Sequence, residues 1–196
     1  PVYNETRVLP ALIPQLRQLA ERCEVVVADG GSTDGTAETL AREFRVLATS
    51  KGRACQMNEG ARATSGDVIF FLHADSILPP NPVGQIQRVL RKHDAGCFGI
   101  RFDRRHPVLW FCSWMSNARV RVRGIAYGDQ GIFMRRELFE EVGGFPDLPI
   151  MEDLQLGLNL RERGVRFAMT RSRITTSSRR FGKGTMQILK TWCAMV

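Results

Sequence analysis

Glu24-Val25-Val26-Val27-Ala28-Asp29 runs directly into Gly30-Gly31-Ser32-Thr33-Asp34-Gly35-Thr36, and this junction decides the fold. Its first part is a short β-branched run that ends in turn residues, the pattern of a buried strand. Its second part turns sharply on glycines and offers Asp34 as a cap for a helix over Thr36–Phe44. Working outward, Asp67–Leu72 (DVIFFL) is a second such strand, Gly96–Phe102 a weaker third and Val165–Met169 a fourth. Helical patterns alternate with them. Val8, Leu9, Leu12, Ile13, Leu16 and Leu19 recur at helical spacing after two possible caps, Asn4 and Thr6. Pro10 suits the first turn of that helix, whereas Pro14 predicts a kink. Ala54–Ala63 and Pro82–Lys92 give two more helices, with Pro82 as a first helical residue. Helix and strand alternating in this way predict an α/β fold, a mostly parallel, doubly wound sheet flanked by helices. In such sheets ligands bind at the carboxyl ends of the strands.

The second half is less regular. Helices are expected over Pro107–Val120, Arg136–Val142 and Glu152–Arg163, the last stopped by Gly164. Trp110, Phe111 and Trp114 read as core rather than as an acceptor platform, because aromatic side chains carry so much apolar area. The Arg-rich stretch Arg101–Arg123 reads as a solvated surface. No repeat, low-complexity tract or linker divides the 196 residues, so one mixed domain is expected.

Composition supports a globular chain: 43% of the residues are hydrophobic and 24% charged, which excludes wholesale disorder, collagen-like repeats and a disulfide-stapled miniprotein. The longest uncharged run, His106 to Ala118, has 13 residues, short of the roughly 20 that a membrane-spanning helix needs. No signal peptide is visible, although the chain opens on Pro1 rather than Met, which suggests residues upstream. The five cysteines, at 23, 55, 97, 112 and 193, form no C-x-x-C pair and point to a reducing compartment. Residues 161–196 hold nine Lys and Arg against Glu162, leaving 28 − 9 = 19 basic and 20 − 1 = 19 acidic residues in 1–160. The whole net charge of +8 therefore lies in the last 36 residues, a solvated face or a docking surface for something anionic.

The strand ends carry the chemistry. Glu5 precedes the first helix, Asp29 ends one strand and Asp75 follows another in His73-Ala74-Asp75. In a parallel sheet these three acids share one cleft, where they need cations among them. Lys51, Arg53 and a divalent metal are the candidates. Each acid alone would read as a turn or cap residue, His73 as a structural imidazole, and Asp129 as either a cleft acid or a turn. Gly30, Gly31 and Gly35 lack dinucleotide-fingerprint spacing, and Gly182-Lys183-Gly184-Thr185 fails as a P-loop because Gly184 stands where Ser or Thr is required.

PVYNE (1–5), DGGSTDGT (29–36), KGRACQMNEGA (51–61), FLHAD (71–75) and MEDLQLGLNL (151–160) resemble, in order and over nearly the whole chain, the family 2 inverting glycosyltransferases of GT-A fold. YGDQGIF (127–133) and SSRRFGKGT (177–185) look like a bacterial subgroup often labelled transferase 2 or arsenosugar-associated. The resemblance implies a nucleotide-binding half at 1–100 and an acceptor-binding half at 101–196. Pro1, Tyr3 and Glu5 would line the nucleotide pocket, Asp29 would accept from the base (typically uracil), and Lys51 and Arg53 would approach base and diphosphate. Arg179 and Lys183 would clamp the diphosphate. Asp75, with His73 where the family usually has another acid, would hold Mg²⁺ or Mn²⁺ to stabilise the departing diphosphate. Asp153 would be the general base, with Glu152 shaping the acceptor side. Phe181 stands where many members have Trp, and the hydrophobic strand that usually precedes PVYNE is missing, so truncation at both ends is expected.

The function implied is inverting transfer of a sugar from a nucleoside-diphosphate donor, a UDP-sugar, to a hydroxyl acceptor. The alternatives are a sugar-phosphate nucleotidyltransferase, which would want a Gly-rich N-terminal loop, and a non-catalytic module binding anions or nucleic acid through the basic tail. The expected location is cytoplasmic, at the inner face of the membrane, through the basic C-terminal segment ending in Met186–Val196.

Overall fold

The computed structural model describes residues 1–179. The amino-terminal strand alternation is realised as α1 (Leu9–Ala20), β1 (Val26–Asp29), α2 (Thr36–Leu40), β2 (Arg45–Ala48), α3 (Arg53–Arg62), β3 (Val68–Phe70), β4 (Ser76–Ile77), α4 (Pro82–Leu90) and β5 (Ala95–Phe102). Then follow α5 (Pro107–Arg123), a 3-10 turn at Gly128–Gln130, β6 (Phe133–Arg135), α6 (Arg136–Glu141), α7 (Glu152–Glu162) and β7 (Ala168–Thr176). The α/β, helix-flanked class stands, but the pairing is mixed. β1 and β2 form a parallel pair, and a five-stranded sheet runs β3-β6-β5-β7-β4 with only β5 and β7 parallel. β2, β4 and β6 are too short, or in β2 too exposed, to announce themselves by hydrophobic alternation.

β5 is central because six consecutive residues of it are buried, the mark of a strand covered on both faces. Gly96 in it has to be glycine: a Cβ there would fall 2.6 Å from the Phe133 ring and 2.7 Å from the Ala168 carbonyl. Leu9, Leu12, Leu16 and Leu19 are the inward stripe of α1, and each stabilises the fold by roughly 1.5–3 kcal/mol through burial. Pro14 sits inside this helix. Neither Asn4 nor Thr6 caps it, since Val8 occupies that position without a side-chain bond. Asn81 does cap α4 through the Gly84 N–H at 3.2 Å, with Pro82 leading the helix as expected. Between β1 and β3 lies an apolar slot of about 940 Å³ whose walls include Leu12, Leu16, Val27, Ile69 and Phe71. At one end of it Gln56 donates to the Val2 and Ala28 carbonyls at 2.7 and 2.9 Å.

Candidate active site

Two loops after strand ends are stitched together on one side of the site. Val2 pairs with Asp29 as a parallel bridge. Asn4 donates its N–H to Ser32 Oγ and accepts from the Thr33 N–H, at 2.9 and 2.8 Å. Asp34 accepts from the Thr6 N–H at 3.1 Å, from the Thr36 N–H at 3.0 Å, and from both threonine hydroxyls. The two hydroxyls, first that of Thr36, hold the Asp34 carboxyl well below the usual carboxylate range. The residues that sequence offered as caps for α1 thus tie one loop to the other. Gly35, at φ +87°, is the residue that enters α2, a left-handed conformation that suits glycine. Asp29 is buried and accepts from the N–H groups of Gly31 and Ser32 at 3.0 and 2.9 Å and from the Ser32 hydroxyl at 2.5 Å.

Glu5 and Asp75 are brought together, as the strand-end argument expects, by a shared cation. Arg179 donates to both Glu5 oxygens, through Nη1 at 2.7 Å and through Nη2, and its Nη2 lies 3.3 Å from Asp75 Oδ2. The Glu5 hydrogen bonds push the arginine pKa up, against its desolvation. Lys51 Nζ lies 4.2 Å from the centre of the Tyr3 ring. Pro1, by contrast, lines the apolar slot, whose walls do not include Glu5, Asp29, Asp75 or Asp153. Lys183 and the segment Met186–Val196 lie outside the described residues.

A further pair of acids, Glu152 and Asp153, stands at the start of α7. Asp153 is 7% exposed and accepts from the Gly128 N–H at 2.6 Å and from the Leu154 N–H at 2.7 Å. A carboxylate has about four lone-pair sites, so this leaves acceptor capacity for a substrate hydroxyl. A Cβ on Gly128 would fall 2.9 Å from His73 Nε2 and 3.4 Å from Asp153 Oδ2; only a glycine lets the imidazole and the carboxylate approach that turn. Glu152, 1% exposed, forms a two-pronged ion pair with Arg53, Nε to Oε1 at 2.9 Å and Nη2 to Oε2 at 3.2 Å. Burial raises the Glu152 pKa, and the Arg53 charge only partly opposes it. Arg53 therefore joins the DGGSTDGT side to the helix that carries Asp153.

Several contributors were missed by sequence reasoning. Arg119 stacks 3.4 Å from the Tyr127 ring centre and donates to Gln130 Oε1 at 3.1 Å. Burial pulls its pKa down, against the nearby charges of Tyr127, Asp129 and Asp153. Gln130 is fully buried and also accepts from the Tyr127 N–H at 3.2 Å. The available signal was Asp129 within Tyr127-Gly128-Asp129-Gln130; Arg119 was hidden among arginines read as a solvated surface.

Among the described residues no three His, Cys, Asp or Glu side chains cluster as a metal cage. Asp75 nevertheless supplies a hard oxygen beside Glu5, and Mg²⁺ and Mn²⁺ in nucleotide sites commonly take one or two carboxylates and draw the rest from phosphate and water. The donor set fits such an ion.

The Glu5–Asp75 pair held by Arg179 and the buried carboxylates at the start of α7 sit on a helix-flanked α/β fold, and comparison with known proteins gives the family. The model of glycosyl transferase family 2 matches residues 1–147, and the chain belongs to that family. It is a glycosyltransferase of GT-A fold. It is 28% identical over 152 residues to the undecaprenyl-phosphate 4-deoxy-4-formamido-L-arabinose transferase of Serratia proteamaculans, covering 69% of this chain and 46% of that protein. The counterpart from Proteus mirabilis is 29% identical over 153 residues with the same coverage. The chain thus spans about half the length of the curated relatives it matches. Among solved structures, the mannosyltransferase PcManGT of Pyrobaculum calidifontis, in complex with GDP-Man and Mn²⁺, superposes with TM-score 0.65 at 22% identity, covering 89% of this chain and 54% of that one. Glucosyl-3-phosphoglycerate synthase of Mycobacterium tuberculosis, in complex with Mn²⁺, UDP and glucosyl-3-phosphoglycerate, gives 0.61 at 19% identity, covering 90% and 68%.

Proposed function

We propose that this glycosyltransferase moves a sugar from a nucleoside-diphosphate donor, a UDP-sugar, to a hydroxyl acceptor with inversion, and that Asp153 is the general base. The observation that carries the reading is the Asp153 carboxylate. It is buried and aimed by the Gly128 N–H at 2.6 Å, on a turn that also lies against His73, two residues before Asp75. As the acceptor oxygen bonds to the anomeric carbon, its proton passes to Asp153 and the bond to the diphosphate breaks on the opposite face of the sugar. Arg119, held by the Tyr127 ring and Gln130 Oε1, supplies a fixed positive charge beside the turn that carries Gly128, and preorganised charge of this kind acts without reorganisation. Tyr3, with Lys51 over its ring, and the Asp29 turn receive the base, and Lys183 joins Arg179 on the diphosphate.

Asp75, assisted by Glu5 and next to His73, would hold a divalent cation, which neutralises charge on the diphosphate when bound. Arg179 pairs with both carboxylates. A diphosphate is the natural competitor for its guanidinium, since arginine binds phosphate in a two-pronged geometry. Two structural neighbours were solved with Mn²⁺ and a nucleotide or nucleotide-sugar, which supports the donor part of the reading; the curated relatives carry undecaprenyl phosphate in their names, and we place this protein at the cytoplasmic face of the membrane. No helix of the described residues is long and apolar enough to cross a membrane.

A thermal-shift panel of nucleoside diphosphates with and without Mn²⁺ tests the donor site, because a ligand bound only by the folded state raises the melting point. UDP should stabilise the protein in a Mn²⁺-dependent way, and Asp75→Asn should abolish that dependence. Equal stabilisation of wild type and variant removes the metal assignment, and a product whose NMR shows retained anomeric configuration removes the inverting mechanism.

A further inference from the structure

Helix α5 (Pro107–Arg123) turns its largest rings outward. Its inward face buries Leu109, Cys112 and Val120 together with two polar side chains whose bonds are made: Asn117 accepts from the Ile100 N–H at 2.8 Å and donates to the Ile100 carbonyl at 3.0 Å, and Ser113 donates to the Leu109 carbonyl at 2.9 Å. Its outward face is a stripe at helical spacing, Trp110, Phe111, Trp114, Met115 and Val122, with Trp110 67%, Trp114 51% and Val122 72% exposed. Phe111 and Trp114 stack with ring centres 6.0 Å apart, so the rings of the first turns form one apolar patch, with Val122 exposed further along the same helix. The expectation that these aromatics are core is overturned. The helix packs inward through Leu109, Cys112 and Val120 and bonds β5 through Asn117, which leaves the large rings facing out. Contiguous exposed apolar surface of this kind marks an interaction site.

The surroundings select the partner. No acidic residue occurs between Asp103 and Asp129, and exposed Arg105, Arg121 and Arg123 edge the stripe. At the last turn of α5 a groove of about 490 Å³ is lined by Arg121, Arg171 and Arg173 with no carboxylate in its walls. Arginine edges facing each other would repel a second copy of this chain, and the segment beyond Arg179 is itself basic. Rings that lie at headgroup depth, edged by arginines, match an anionic bilayer.

We propose that the outward face of α5 docks the protein on anionic lipid bilayers, with the Arg121–Arg171–Arg173 groove taking lipid phosphates. Because α5 runs through Gly124 into the turn whose Gly128 holds Asp153, docking there would put the cleft next to the membrane surface. The inference itself does not depend on sugar transfer.

Vesicle sedimentation of the full chain tests it, using phosphatidylcholine alone and phosphatidylcholine mixed with phosphatidylglycerol. The protein should sediment with the mixed vesicles and not with phosphatidylcholine alone. Trp110→Ser with Trp114→Ser should weaken that binding by at least about tenfold, and Arg121→Glu with Arg123→Glu by a similar factor, each arginine near an anionic surface counting for several-fold. All these positions are exposed, so an unchanged melting point and unchanged UDP stabilisation should accompany the loss; that separates failure of docking from failure of the donor site. Absence of sedimentation overturns the proposal. So does undiminished sedimentation of the tryptophan variant, which would place lipid binding elsewhere, or a stable dimer that the same variant dissociates.

Discussion

The paired loops that carry Asp29 and Asp34 and the helix start that carries Glu152 and Asp153 both gather carboxylates, but they accommodate them by opposite means. Asp34 keeps its charge in open solvent, held by threonine hydroxyls and backbone N–H groups that favour the ionised form. Glu152 is withdrawn from water, and its one cation, Arg53, does not offset the desolvation. The loop charges therefore build structure, whereas the charge at the start of α7 strains it. Strained ionisable groups concentrate where chemistry happens, which marks the α7 side as the reacting end of the cleft and the loops as its donor scaffold.

The sharpest way to break that contrast is Asp153→Asn. The amide keeps the shape and can still accept from Gly128, so the melting point should hardly change, but it cannot take a proton. Loss of a general base costs typically 10²- to 10⁴-fold, and turnover measured with a hydrolysis-resistant control should fall by that factor with UDP binding intact. A variant that keeps near-wild-type turnover would move the reacting end elsewhere.

The same contrast explains what sequence could reach. The DGGSTDGT turn, its acids and the helices α3, α4 and α7 were legible because glycines, caps and hydrophobic periodicity are local signals. Glu5 and Asp75 were expected in one cleft from a parallel strand order, but the pairing is mixed and it is Arg179 that joins them. Arg53 on Glu152, Arg119 on Tyr127 and Gln130, and the His73–Gly128 contact pair residues 99, 8 to 11 and 55 positions apart; no local pattern encodes those partnerships. The mixed pairing of the sheet escaped because β4 has two residues and β6 three. The aromatic stripe of α5 failed for a different reason: periodicity says that a helix has two faces but not which one a single Asn117 will turn inward.

Stability measurements sharpen the comparison next. Arg53→Ala leaves Glu152 buried without its cation, and an unpaired buried group costs about 1–3 kcal/mol, read as a fall of roughly 2–4 °C in melting point per kcal/mol for a chain of this size. Adding Glu152→Gln should recover most of it. Alone, Glu152→Gln carries a pH signature. The folded protein holds the Glu152 carboxyl above its ordinary value of 4.5, so folding favours the protonated form; its contribution is fully present below about 4.5 and is lost as pH rises through the raised value. The stability of Glu152→Gln relative to wild type should therefore grow as pH climbs from there. A difference that stays flat with pH would make Glu152 as well accommodated as Asp34.

The smallest effect concerns the residue that aims α7. Met151 sits at φ +64° directly before Glu152, a left-handed conformation that costs a non-glycine residue about 1–2 kcal/mol. Met151→Gly removes that strain but adds freedom to the unfolded chain worth roughly 0.5–1 kcal/mol, so the net change in stability should stay within about 1 kcal/mol. Activity should respond more than stability does. Glycine no longer fixes the direction in which the helix leaves the loop, and the carboxylate beside Gly128 then samples geometries in which proton transfer is poor. A lowered kcat with an unchanged melting point would show that the left-handed methionine positions the reacting end; an unchanged kcat would leave the strain a local accident of the turn.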